Sequence, residues 1–172
     1  MKSVNHRLIP AAVFALFTCI ALHAEELTWD HDFSRGLRGW MLGRASTLKR
    51  EGAMMFVRLR GPKGNGIAGC KSPVVKLDGA AHEFDLTCTY RTDVQHSHLH
   101  GGAWFVFYKL DGDEKLVGDW TGLPLKEDAD WATATTTVRI PEGTKRFQAG
   151  IRVQGREGKT LDVRTVSLKK LR

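Results

Sequence analysis

Residues 83–91, EFDLTCTYR, alternate without a break. Phe84, Leu86, Cys88 and Tyr90 fall on one side, and Glu83, Asp85, Thr87, Thr89 and Arg91 on the other. Successive side chains of an extended chain point to opposite faces, so this period of two marks a strand with one face buried. The same period returns in RFQAGIRVQ, where Phe147, Ala149, Ile151 and Val153 alternate with Gln148, Gly150, Arg152 and Gln154. In ATTTVRI, Thr136, Val138 and Ile140 alternate with Thr135, Thr137 and Arg139, and AMMFVRLR and LDVRTVSLKKL read as further strands. Turn signals separate these segments: GPKGNG, LDGA, LDGDE, PEGT and GREGK. No stretch of useful length has helical period. Short strands at this spacing predict an all-β fold, a sandwich or a barrel. With no internal repeat or linker, residues 25–172 are expected to form one domain.

One strand departs from the pattern. In AWFVFYKL, Trp104, Val106, Tyr108 and Leu110 form one side and Ala103, Phe105, Phe107 and Lys109 the other, so both faces are largely apolar. A strand covered on both sides reads this way. In a two-layer fold one face meets the opposite sheet, and the second needs a loop or a bound ligand over it.

The first 24 residues read as a secretory signal. Lys2 and Arg7 give a basic start, the apolar stretch LIPAAVFALFTCIAL follows, and cleavage is expected after Ala24. The stretch is short and broken by Pro10, which disfavours a lasting membrane span. The expected location is secreted or periplasmic. Loss of Lys2 and Arg7 lowers the formal charge from +7 to +5, and ten Lys/Arg against three Asp/Glu follow from Arg139 onward. That bias suits anionic partners such as acidic glycans, and export argues against nucleic acid. Once Cys19 is removed, Cys70 and Cys88 remain. An even pair in an oxidising compartment predicts a disulfide, worth on the order of 3 kcal/mol for a loop of roughly 19 residues; the alternative is two separate buried thiols.

Four segments carry a resemblance to a known family. DFSRGLRGW (residues 32–40) contributes Phe33, Gly36, Gly39 and Trp40; FYKLDGDEKL supplies a strand turning at Asp-Gly. DWATATTTVRIPEGTKRFQAGIRV and LDVRTVSLKKL complete the order. Together they resemble the jelly-roll carbohydrate-binding modules of the family 4 and 9 type, within the galactose-binding-like β-sandwiches. The resemblance implies a two-sheet antiparallel β-sandwich that binds sugar and is not an enzyme. It also implies a structural calcium held by acids near the opening Phe and before the final Val-Ser-Leu. Here those places hold Ser34, Arg164 and Thr165. A cation at Arg164 repels a metal that wants carboxylate oxygens, so no calcium is expected, with Arg164 pairing with Asp32 or Asp30 in its stead. No other cofactor is expected.

Sugar sites combine aromatic platforms with a few placed polar groups. The expected ligand-binding residues are Trp104 and Trp120 for stacking, Gln148, Arg152, Gln154 and Arg91 for hydroxyls, and His98 and His100 at a rim. Arg139 and Asp85 are expected on the same concave face. Trp131 and Trp40 are expected to pack internally. His96, His98 and His100 alternate and so share a face if extended, which makes a zinc, copper or nickel site an alternative. They would span about 13 Å, however, and HGG reads as loop. The acids of LDGDE and KEDAD read as turns or exposed loops, so no catalytic pair is expected. The reading that results is an exported, non-catalytic carbohydrate-binding protein, its glycan polymeric or anionic. Two alternatives stand beside it: a cell-envelope interaction domain without a sugar site, and a small secreted enzyme acting on polysaccharide.

Overall fold

The computed structural model describes residues 29–95, 101–113, 115 and 121–171. The strands are β1 (Trp29–Asp32), β2 (Met41–Leu42), β3 (Ser46–Glu51), β4 (Met54–Arg60), β5 (Ile67–Lys71), β6 (Val75–Lys76), β7 (His82–Thr92), β8 (Gly102–Leu110), β9 (Thr121–Leu125), β10 (Asp128–Ile140), β11 (Arg146–Gln154) and β12 (Thr160–Lys170). A single 3-10 turn, Phe33–Arg35, follows β1. The strands form two antiparallel sheets. The first runs β10-β7-β12-β4-β3 with β1 beside β12, and the second runs β2-β5-β11-β8-β9 with β6 beside β11. The fold is the expected all-β two-sheet antiparallel sandwich.

The period-two segments fold as their pattern dictates. RFQAGIRVQ is β11 from end to end, and EFDLTCTYR lies inside β7. Phe84, Leu86 and Cys88 from the first sheet meet Phe105, Phe107, Phe147 and Ile151 from the second, all of them buried. Phe107 and Phe147 stack at 4.8 Å between ring centroids. Each such side chain stabilises the fold by about 1.5–3 kcal/mol on leaving water, so the inter-sheet layer is the main source of stability.

Two local departures matter. In β12, Leu161 and Val163 point inward, and so do Val166 and Leu168. The step of three is absorbed by a bulge: the register with β7 shifts between Val163 and Thr165, leaving Arg164 as the extra, exposed residue. In β10 the register shifts between Asp128 and Ala132, next to Trp131. The acids of KEDAD, read as loop, therefore partly enter a strand, since β10 begins at Asp128.

The expected disulfide is not formed. Cys70 on β5 and Cys88 on β7 are both free and buried, one in each sheet, each filling its own core position. Burial pushes the Cys70 thiol up to about 12, and burial with the nearby Cys70 pushes Cys88 higher still. Two thiols packed as apolar side chains fit this core; spacing in sequence carries no information on whether their sulfurs meet.

Candidate functional site

β11 lies in the middle of the second sheet, with Gln148, Gly150, Arg152 and Gln154 on its outer side. Its register sets Gly150 between Lys71 of β5 and Val106 of β8, and Arg152 between Gly69 and Trp104. Directly opposed residues of antiparallel strands share a face, so Lys71–Gly150–Val106 and Gly69–Arg152–Trp104 form two rows across the outside of the sheet. With no side chain at Gly150 or Gly69, the middle of the first row and the β5 end of the second are low. A Cβ at Gly150 would stand 3.0 Å from Val106 Cγ2 and 3.3 Å from Tyr108 Cε2. The chain after β2 closes one wall, where Gly43 N donates to the Gly69 carbonyl at 2.9 Å.

The result is a groove of about 390 Å³. Val106 and Tyr108 form its floor with the glycines, and Met41 and Ile67 stand on the rim, 59% and 51% exposed. Arg44, Lys71 and Arg152 bring three cations to the lining, which holds no Asp or Glu among the described residues. Two of those cations lie against rings. The Arg152 guanidinium is 5.6 Å from the Trp104 centroid and the Lys71 ammonium 5.5 Å from that of Tyr108. Arg152 Nη2 also donates to Gln154 Oε1 at 3.0 Å. Cation–ring contact holds flexible side chains in place while their outer edges face a guest. The second apolar face of AWFVFYKL thus borders the groove: Val106 is 1% exposed, and Trp104 and Tyr108 are half-buried.

The residues expected on one concave face are divided between two. Trp104, Arg152 and Gln154 share the outer face of the second sheet. Arg91, Asp85 and Arg139 lie on the outer face of the first sheet, on the opposite side of the molecule. Arg91 is part of a row across three strands, because Asp162 of β12 is opposed to both Arg58 and Arg91. Asp162, 2% exposed, accepts from Arg58 Nε and Nη2 at 2.7 Å each and from Arg91 Nε at 2.9 Å. Arg91 Nη2 reaches Glu51 at 2.6 Å, and its guanidinium lies 4.8 Å from the Trp131 centroid and 5.2 Å from that of Phe56. Arg91 is therefore a structural ion-pair residue; alternation shows which residues share a face but not which sheet owns it. Asp85 and Arg139 bond to Thr137 and Glu83.

Gln148 is in the expected sheet but is buried, and its amide nitrogen donates to the Ser72 carbonyl at 2.9 Å. It braces the loop after β5 and does not line the groove. Trp40 packs in the core against Phe33, and Trp131 packs on Phe56. Trp120, His96, His98 and His100 lie outside the described residues. Sequence reasoning passed over Lys71, Arg44, Met41, Ile67 and Tyr108. Tyr108 was within reach, since it alternates with Trp104 and Val106; the others come from β2, β5 and the chain just after β2, short segments with no periodic signal.

At the place where the resemblance implies calcium, Asp32 is engaged within its own turn. Asp32 Oδ1 accepts from Ser34 N at 2.8 Å. Burial raises the Asp32 carboxyl, but the Ser34 hydrogen bonds and the charges of Arg164 and Arg35 outweigh it and hold the group below its ordinary range. One carboxylate already engaged, with a guanidinium near it, is a poor donor set for a hard cation.

No protein-family model matches the sequence, and no curated protein matches it. The fold, by contrast, is shared with carbohydrate-binding modules. The structure titled "Family 16 Carbohydrate Binding Module-2" superposes with a TM-score of 0.55 at 16% identity, covering 80% of this chain and 94% of that one. The CBM22-1 xylan-binding domain of Paenibacillus barcinonensis Xyn10C gives 0.52 at 11% identity, covering 84% and 94%. An enzymatically active domain of bacteriophage CBA120 tailspike protein 4 gives 0.55 at 12% identity; the match takes in 77% of this chain and only 19% of that one. These likenesses define the fold, the β-sandwich of carbohydrate-binding modules.

Proposed function

We propose that this chain is an exported, non-catalytic carbohydrate-binding protein whose ligand lies in the groove on the outer face of the second sheet. The observation that carries the reading is the groove's make-up: a glycine-lowered floor bearing Val106 and Tyr108, with three cations and, among the described residues, no acid in its lining. An apolar floor suits the C–H face of a pyranose, and Arg44, Lys71 and Arg152 suit its hydroxyls and, above all, carboxylate or sulfate substituents. A glycan bearing uronate or sulfate groups is the ligand class that uses every part of this lining. The sandwich shared with carbohydrate-binding modules supports the sugar, the cations support its charge, and residues 1–24 support export.

The test is a glycan array followed by calorimetry on the best acidic oligosaccharide. Tyr108→Ala and Arg152→Ala should each weaken binding about tenfold, in line with about 1–2 kcal/mol for a stacking or cationic anchor. Affinity should fall as salt screens the cations, and the bound glycan should gain no reducing ends. Retention of no glycan, or wild-type affinity in both variants, rejects the proposal.

A further inference from the structure

Sheet edges invite pairing with another chain, and most edges here are blunted. In the first sheet β3 ends Lys49-Arg50-Glu51, and β1 has four residues. In the second, β2 and β6 have two residues each, and β9 has five with Pro124 among them. β10 is different. It is the longest strand, 13 residues, it stands at the end of its sheet, and among the described residues it is laddered to β7 alone. From Ala132 to Val138, ATATTTV, it carries no charge, no proline and no glycine. Thr133, Thr135 and Thr137 are exposed on its outer side.

We propose that β10 is a self-association edge, pairing antiparallel with β10 of a second copy about a two-fold axis at Thr135. The sequence fits its own reverse at that register. Thr133 opposes Thr137, Ala134 opposes Thr136, and Ala132 opposes Val138, so like lies on like across both faces. At the ends, Arg139 of each copy comes beside Trp131 of the other, an arginine–aromatic pairing at both limits of the uncharged run. Between Asp130 and Ile140 no two like charges are opposed. A two-fold interface of this kind closes on itself, so it makes a dimer and not a fibre. Because β10 edges the first sheet, the grooves of the second sheet stay open in both copies, and the pair presents two of them to one polymer.

Sedimentation of the full chain over a range of concentrations reads the association directly. The wild type is expected to reach a dimer at high micromolar concentration. Thr135→Lys sets lysine against lysine across the axis and should leave a monomer with unchanged circular dichroism. Thr133→Glu with Thr137→Lys sets opposite charges against each other at this register, with the lysine beside Asp85 of its own β7, and should stay dimeric. A wild type that remains monomeric, assemblies that grow beyond two, or a dimer indifferent to Thr135→Lys each overturns the proposal. None of these readouts involves the sugar groove, so the proposal stands or falls apart from the binding function.

Discussion

The single residue that ties most together is Asp162. It is nearly buried, and three strands converge on it because the register opposes it to Arg58 on one side and Arg91 on the other. Its two carboxylate oxygens accept three guanidinium hydrogen bonds. Asp162→Ala takes from Arg58 its paired carboxylate and leaves Arg91 with Glu51 alone. A fully buried broken pair costs about 3–5 kcal/mol, and partial exposure of both arginines lowers this to about 2–3 kcal/mol. Chemical denaturation should show that loss. It should leave sugar affinity unchanged, since the cluster faces away from the groove. A loss of affinity with stability intact would mean that Arg91 serves a ligand after all. The sequence signals for the two arginine roles are the same, an Arg on the polar side of a strand. What separates Arg91 from Arg152 is the neighbour that the register supplies: a carboxylate for one, a glycine and a tryptophan for the other.

Among the elements, the long strands were legible and the short ones were not. β7 and β11 follow from alternation because each buries one full face, and a slip of one residue would turn that face to water. β12 was legible as a strand, but its bulge shows only as a spacing of three between Val163 and Val166. β2, β5 and β6 lack a period to read, yet β2 and β5 build one wall of the groove, so most of its lining was invisible beforehand. The opening element, β1 with its 3-10 turn, is held by His31, whose ring lies 4.5 Å from Phe33 and 5.6 Å from Trp40. Burial lowers the His31 pKa below its ordinary 6.5, against a backbone hydrogen bond that raises it and with the Arg38 charge lowering it further. The unfolded chain therefore takes up this proton at a higher pH than the folded one. The stability owed to neutral His31 is complete above the ordinary value and is lost as pH falls below it, until the folded pKa is reached. Melting temperature should fall across that acid window, and His31→Phe should remove this part of the slope. An identical pH profile in the variant would show that other groups carry it.

For the whole molecule, one architecture separates three tasks onto different surfaces. The layer between the sheets supplies stability, with both cysteines spent as packing. The outer face of the first sheet is locked by its own ion pairs and threonine contacts, Thr87 with Thr135 at 3.1 Å and Thr89 with Thr133 at 3.3 Å. One hollow, on the first sheet, is lined by Thr47, Lys49, Arg58 and Arg60. The outer face of the second sheet holds the hollow in which an apolar floor meets positive charge that no acid of the described lining balances. The two-sided apolar strand AWFVFYKL pointed to that hollow from sequence alone, although not to its walls. The most direct measurement is amide chemical-shift mapping during titration with an acidic oligosaccharide chosen from an array. The account predicts the largest shifts at Gly69, Lys71, Val106, Tyr108, Gly150 and Arg152, with Thr87, Thr135 and Asp162 unmoved. Shifts centred on the first sheet, or none with any glycan, would contradict it.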